Sequence, residues 1–209
     1  MEPGLVSVIC LSHQHRDYIR EAVNSVLHQT WEKVQLILVD DDSHDGSREV
    51  IRSVVKEHPG ILTVLPDEHL GNCRAFNRGL TLARGEFIID LAADDLLLPE
   101  RIREGIEAFE KAGPEYGVHF TDVRHIDPEG RPLGSQYRRD RNGRLLDKVP
   151  QGDVYADLLG RYFISAPSMM IRREVFDRLG GYDESLAYED FDFWIRSRSE
   201  EHTSELQSL

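Results

Sequence analysis

Two adjacent acids, Asp94 and Asp95, stand a few residues beyond the apolar run Phe87-Ile88-Ile89. A strand that exits into a carboxylate pair sets hard oxygen ligands at the rim of a sheet. Backbone geometry is fixed there, yet solvent and ligand can enter. Such ligands suit Mg²⁺ or Mn²⁺, and such an ion suits a diphosphate. The pair repels itself unless a cation is shared. The plainer alternative is a solvated pair ahead of the helix opened by Pro99.

A second acidic stretch, residues 40–47 (DDDSHDGS), follows the apolar run Val34 to Val39. A carboxylate at that strand end can accept hydrogen bonds from a nucleobase N–H or from ribose hydroxyls. Asp42, Ser43 and Asp45 equally suit turn-making and helix capping. A third acid set, Glu189-Asp190, lies near the start of a helix, where the helix dipole favours anions. An acid there can also serve as general base, provided the fold carries it over the same crevice.

Other patterns carry less. His13 and His15 form an H-x-H pair, but no partner cluster accompanies them, so a metal-free loop is the expectation. Arg138, Arg139, Arg141 and Arg144 suit an acidic acceptor or a lipid-phosphate surface, or simply a solvated loop. No G-x-G-x-x-G follows the first strand, and no G-x-x-x-x-G-K-[ST] or G-x-S-x-G occurs, which argues against dinucleotide dehydrogenases, P-loop enzymes and serine hydrolases. The net charge of -13 disfavours nonspecific nucleic-acid binding. Cys10 and Cys73 are too few for a disulfide framework or zinc site and read as reduced, buried thiols.

The elements that must position these acids alternate. Apolar runs Leu5 to Leu11, Val34 to Val39, Ile61 to Leu65 and Phe87 to Leu91 read as buried parallel strands. Helical spacing follows over Asp17 to His28, with Asp17 as N-cap, then Ser47 to Glu57, Cys73 to Ala83, and Pro99 to Ala112. This is a doubly wound α/β pattern, with ligands expected at the carboxyl ends of the strands. Loops 12–15, 40–47 and 92–98 therefore converge. Later elements are a strand from Tyr116 to Val123, a long polar connection over 125–150, a helix over Asp153 to Tyr162, a strand Pro167 to Ile171 and a short helix Glu174 to Leu179. With 40% hydrophobic and 30% charged residues, the 209-residue chain reads as globular, and no apolar run is long enough to span a bilayer.

The acids, in this order, resemble the family 2 glycosyltransferases of GT-A fold. The matching segments are residues 6–31, 36–47, 71–99 and 166–196. The resemblance implies a mostly parallel central sheet flanked by helices, in one domain over 1–197. Residues 1–98 form its nucleotide-sugar donor half and 99–197 an incomplete acceptor half. It implies Asp41 as the nucleobase contact with Asp40 beside it, and Leu11 and His13 as base-pocket residues by position. It further implies Asp94 as a donor contact, Asp95 as the ligand of a divalent cation (Mn²⁺ or Mg²⁺), and Asp190 as the general base. The implied reaction is inverting transfer of a sugar from a nucleotide-diphosphate donor to a hydroxyl of a saccharide, lipid-linked or other acceptor, in cell-surface polysaccharide biosynthesis. The expected location is cytoplasmic, with room for peripheral contact at the inner membrane face. Departures stand at the Pro-Thr-Tyr-Asn usual after strand 1, here Leu11-Ser12-His13-Gln14. Asp42 stands where Gly is usual, and Phe76 where Arg often precedes Asn77. A catalytically silent sugar-nucleotide-binding domain and a nucleotidyltransferase remain as alternatives. Residues 198–208 resemble the translation of a sequencing-adapter oligonucleotide, so a non-native, disordered tail over 198–209 is expected, with the natural chain running on from Ser197.

Overall fold

In a computed structural model the main chain is described for residues 1–186, 190–199 and 205–208, and side chains for 1–186 and 192–197. The first half alternates as the periodicity predicts: β1 (Glu2–Ser12), α1 (Ile19–Leu27), β2 (Val34–Asp40), α2 (Ser47–Glu57), β3 (Leu62–Val64), α3 (Asn72–Leu80), β4 (Gly85–Ala92) and α4 (Arg101–Ala112). Then come β5 (Tyr116–Phe120), the hairpin β6 (Arg124–Ile126) and β7 (Pro132–Ser135), α5 (Tyr155–Gly160), a 3₁₀ turn (Ala166–Ser168), β8 (Met170–Arg172), α6 (Arg173–Leu179), α7 (Asp190–Ser199) and β9 (Glu205–Ser208).

The main sheet has the order β3-β2-β1-β4-β8-β5-β9. Strands β1 to β4 run parallel, β8 runs antiparallel to both β4 and β5, and β9 runs parallel to β5. Because side chains alternate along a strand, each apolar run divides between two layers. Val6, Val8 and Cys10 of β1 pack with Ile19, Val23 and Val26 of α1 and Ile102 and Ile106 of α4. Ile9 and Leu11 of the same strand face the opposite layer, with Phe76 of α3, Phe176 of α6 and Trp194 of α7. Helix α3 lies close on the sheet. A Cβ on Gly79 would stand 2.6 Å from Ile9 Cγ2.

Three expectations need correction. Helix α1 is capped at Tyr18 without a side-chain bond, not at Asp17, because the N–H groups of Tyr18 and Ile19 both close on the His15 carbonyl. The stretch 125–150 is not one open connection. Its own acids fold it: Asp127 accepts from the N–H groups of Glu129 and Arg131, and Asp140 from those of Asn142 and Arg144. Arg138 pairs with Asp147 and Arg139 with Asp122. Residues 205–208 are a strand rather than a disordered tail. They pair through the main chain with the edge of β5, and such an edge accepts an extended segment whatever its side chains.

Candidate active site

Strand β1 is the centre of the site because β2 and β4 flank it. Ser12 stands opposite Asp40, and Leu11 opposite Ala92. The ladders continue one step beyond: Asp41 N–H donates to the Ser12 carbonyl (2.8 Å) and Ala93 N–H to the Leu11 carbonyl (2.7 Å). All three loops thus leave the same edge. The strands β2 and β4 that deliver the Asp41 and Asp94-Asp95 loops are two strand spacings apart, about 10 Å.

The loop after β1 is held against the loop after β2. Gln14 N–H donates to Ser43 Oγ (2.9 Å) and Arg16 N–H to Asp45 (3.0 Å). Two residues in these loops adopt left-handed backbone, Gln14 at φ 61° and Asp42 at φ 58°. These are two of the positions where the sequence departs from the usual Asn and Gly, and both usual residues tolerate that conformation better. We expect Gln14→Gly to raise unfolding free energy by about 0.5–1 kcal/mol and Gln14→Val to lower it by more than about 1 kcal/mol, read from denaturant midpoints. Equal midpoints for the two variants would show that the site carries no strain.

The two acids that end β2 have different tasks. Asp40 is fully buried, and its Oδ1 accepts from Ser43 N–H (3.1 Å) and Arg48 Nε (2.8 Å). Arg48 also donates to the Pro66 carbonyl. Asp40 therefore ties the loops after β2 and β3 together from a fully buried position. Asp41 is 5% exposed; its oxygens accept from the N–H groups of Leu70 (2.6 Å) and Gly71 (2.9 Å). Around it stand two exposed imidazoles. His13 Nδ1 lies 2.7 Å from the Asp41 carbonyl, and His69 Nδ1 lies 2.9 Å from Asp41 Oδ2. Their rings are 4.5 Å apart. His13 thus has a partner cluster that its sequence neighbours do not reveal, since His69 is 56 residues away. His15 turns elsewhere, its Nδ1 3.8 Å from Asp94 Oδ1. Leu11 sends its side chain into the core with Val39 and Cys73.

Asp94 is exposed and Asp95 is half-buried. Burial, then the neighbouring Asp94 charge, pushes the Asp95 carboxyl up to about 6, with His15 pulling weakly the other way. Among the described residues no lysine or arginine pairs with either acid. A divalent cation would offset this repulsion, so the donor set fits the ion that the resemblance implies. Burial, then the charges of Asp90, Asp94 and Asp95, push the Cys10 thiol up to about 12, which makes it inert as a nucleophile.

The raised Asp95 carboxyl has a cost to the ion-free fold. The folded state holds that proton more tightly than the unfolded chain, so stability falls as pH rises from the ordinary 3.8 to about 6. Asp95→Asn removes the loss. We expect it to gain about 1–2 kcal/mol at pH 7.5 in the absence of divalent ions, and nothing below pH ~3.5, measured by denaturant unfolding.

Asp190 begins α7; its side chain, like the whole of Glu189, lies outside the described residues. The helix beyond it is firmly anchored. Phe193 and Trp194 are fully buried, Phe193 stacks on Phe176 at 4.8 Å, and Arg196 bonds Asp192 and the carbonyls of Leu179 and Gly181. Asn77 bridges α3 to the preceding turn through both the N–H and the carbonyl of Tyr182. Phe76, at the position where Arg is usual, stacks on Tyr182 at 4.2 Å. Tyr182 in turn donates to Asp90 (3.1 Å), a buried acid in β4 that the sequence alone does not single out.

Residues 7–180 match the profile of Glycosyl transferase family 2. The chain belongs to that family. An uncharacterized glycosyltransferase of Methanocaldococcus jannaschii, MJ1057, is 27% identical over 204 residues, covering 94% of this chain and 65% of that protein. TuaG of Bacillus subtilis, named a putative teichuronic acid biosynthesis glycosyltransferase, is 30% identical over 170 residues, covering 81% of this chain and 63% of TuaG. The chain thus spans less than two thirds of the length of these relatives. Among solved structures, Staphylococcus aureus TarS 1–349 superposes with TM-score 0.71 at 16% identity, covering 98% of this chain and 58% of that one. The mannosyltransferase PcManGT from Pyrobaculum calidifontis, solved with GDP-Man and Mn²⁺, superposes with TM-score 0.69 at 20% identity, covering 98% and 54%. These likenesses give the fold. The mostly parallel α/β sheet flanked by helices is the GT-A arrangement expected from the motifs. Among the described residues no helix is long and apolar enough to cross a membrane.

Proposed function

We propose that the chain is the donor-binding and transfer domain of an inverting glycosyltransferase that uses a nucleotide-diphosphate sugar. The observation that carries this reading is the placement of Asp41 and Asp94-Asp95 on loops that leave one sheet edge from the two strands flanking β1. A nucleoside diphosphate laid across β1 has its base at the Asp41 end and its diphosphate at the Asp94-Asp95 end. Family membership supports it, as do fold relatives solved with UDP, UDP-GlcNAc, or GDP-Man and Mn²⁺.

In this reading Asp41, His13 and the 69–71 turn receive the nucleobase. Asp41 is pre-oriented by two backbone N–H groups, so little ordering is left for binding to impose. Asp40 acts at one remove, through Arg48, by holding the loops that carry Asp41. Asp94 accepts from a ribose or sugar hydroxyl. Asp95 holds Mn²⁺ or Mg²⁺, which when bound stabilises negative charge on the departing diphosphate. Asp190 takes the proton from an acceptor hydroxyl as its oxygen forms a bond to the anomeric carbon. The bond to the diphosphate oxygen breaks on the opposite face, so configuration inverts. The acceptor side lies on the second half of the chain, and its substrate is a saccharide, lipid-linked or other hydroxyl compound.

The test is calorimetric titration with UDP-, GDP- and dTDP-sugars plus Mn²⁺, followed by a hydrolysis assay on whichever binds. Binding of one donor class with slow release of its nucleoside diphosphate is expected. Binding without turnover would favour a silent sugar-nucleotide-binding domain, and no binding would reject both.

A further inference from the structure

The cluster of His13, Asp41 and His69 has a composition unlike that of the acid pair at Asp94-Asp95. One potential ligand atom from each of the three lies within 4.8 Å of the other two. Two imidazoles and one carboxylate are a borderline-soft donor set, suited to Zn²⁺ and poorly suited to Mg²⁺. The surroundings are already those of a ligand shell. His13 Nδ1–H donates to the Asp41 carbonyl, which sets the ring orientation and leaves its Nε2 lone pair for a ligand. Asp41 is fixed by the N–H groups of Leu70 and Gly71. His69 Nδ1 and Asp41 Oδ2, at 2.9 Å, need open only to roughly 3.3 Å to become two ligands of one tetrahedral Zn²⁺. Both imidazoles are exposed, so a side-chain adjustment of His69 toward an ion does not disturb the buried core.

We propose that His13, Asp41 and His69 form a second metal site, specific for a Zn²⁺-type ion, and that its occupancy competes with the donor. The competition rests on the proposed donor site, because the ion takes the Asp41 carboxylate assigned there to the base. The metal site itself does not rest on it. Zinc would then act as an inhibitor of an enzyme that uses Mn²⁺ or Mg²⁺ at a separate position, and the two ions would be told apart by ligand chemistry rather than by affinity alone.

The test is calorimetric titration of the ion-free chain with ZnCl₂, alongside the visible absorption of the Co²⁺ form. One Zn²⁺ per chain is expected, with Co²⁺ giving the bands of a four-coordinate ion. His13→Ala and His69→Ala should each weaken Zn²⁺ on the order of tenfold or more, while Asp95→Asn changes it less than about twofold. Thermal unfolding in each variant without metal checks that the fold survives. His69→Gln, which keeps bulk without the imidazole ligand, repeats the test if the alanine does not fold. Unchanged zinc affinity in both histidine variants, or loss confined to Asp95→Asn, would overturn the site. A parallel titration of nucleoside diphosphate in the presence of Zn²⁺ reads the competition. An unchanged nucleotide affinity on a zinc-loaded chain would overturn that part. A chain that binds zinc at the histidines but no nucleotide at all would reject the donor reading and leave the metal site standing.

Discussion

Asp95→Ala abolishes the effect of Mn²⁺ on nucleotide-sugar binding. The expected loss is on the order of 10- to 100-fold in donor affinity at saturating Mn²⁺, with the variant's affinity equal in the presence and absence of the ion. The reason lies in the electrostatics of the β4 exit. Asp95 is partly withdrawn from water and faces the Asp94 charge, and its carboxyl is pushed up to about 6. Such a group gains more from a divalent cation than a solvated acid does. The same fact gives a pH dependence with a defined sign. Below about pH 6 a proton competes with the ion for Asp95, so Mn²⁺-dependent binding in the wild type falls about tenfold per pH unit, and the slope vanishes in Asp95→Asn. Donor affinity in Asp95→Ala that still rises with Mn²⁺ would place the ion elsewhere.

Asp190→Asn leaves donor binding within about twofold of wild type and lowers turnover on the order of 10²- to 10⁴-fold. The substitution is nearly isosteric, and the helix it begins has anchors further along. It is fixed by Phe193 and Trp194 in the core and by Arg196 on the Leu179 and Gly181 carbonyls. Phe193→Ala is the contrasting case. It removes a fully buried ring from the contacts with Phe176 and Tyr182 and should destabilise the fold by about 3–5 kcal/mol. An Asp190→Asn variant that lost donor affinity and turnover together would not be missing a general base.

Most of the first half of the fold was legible in the sequence because its strands are continuous apolar runs and its acids sit at their ends. Period-two sorting of Ile9 and Leu11 against Val8 and Cys10 follows directly from such runs. What was not legible depends on contacts between distant residues. Asp40 and Asp41 are chemically alike and adjacent, yet one turns inward to Arg48 and the other is caught by the 70–71 turn. Only the register of β2 against β1 and the return of the chain at residue 69 decide that. His13 and His15 read as a pair in sequence but serve opposite ends of the crevice, His69 and Asp94. The bond between Tyr182 and Asp90 joins residues 92 positions apart. The basic loop misled by its charge, since its acids, fewer and dispersed, hold its turns.

Backbone-amide NMR on the isotope-labelled chain tests the donor reading most directly. A nucleoside alone should shift the amides of Leu70, Gly71 and the 13–15 loop. The corresponding nucleoside diphosphate with Mg²⁺ should shift these and, in addition, Ala93 to Leu97. Shifts confined to residues outside the loops after β1, β2, β3 and β4, or a nucleoside diphosphate that perturbs residues 93–97 no more than the nucleoside does, would contradict a donor laid across β1 from Asp41 to Asp95.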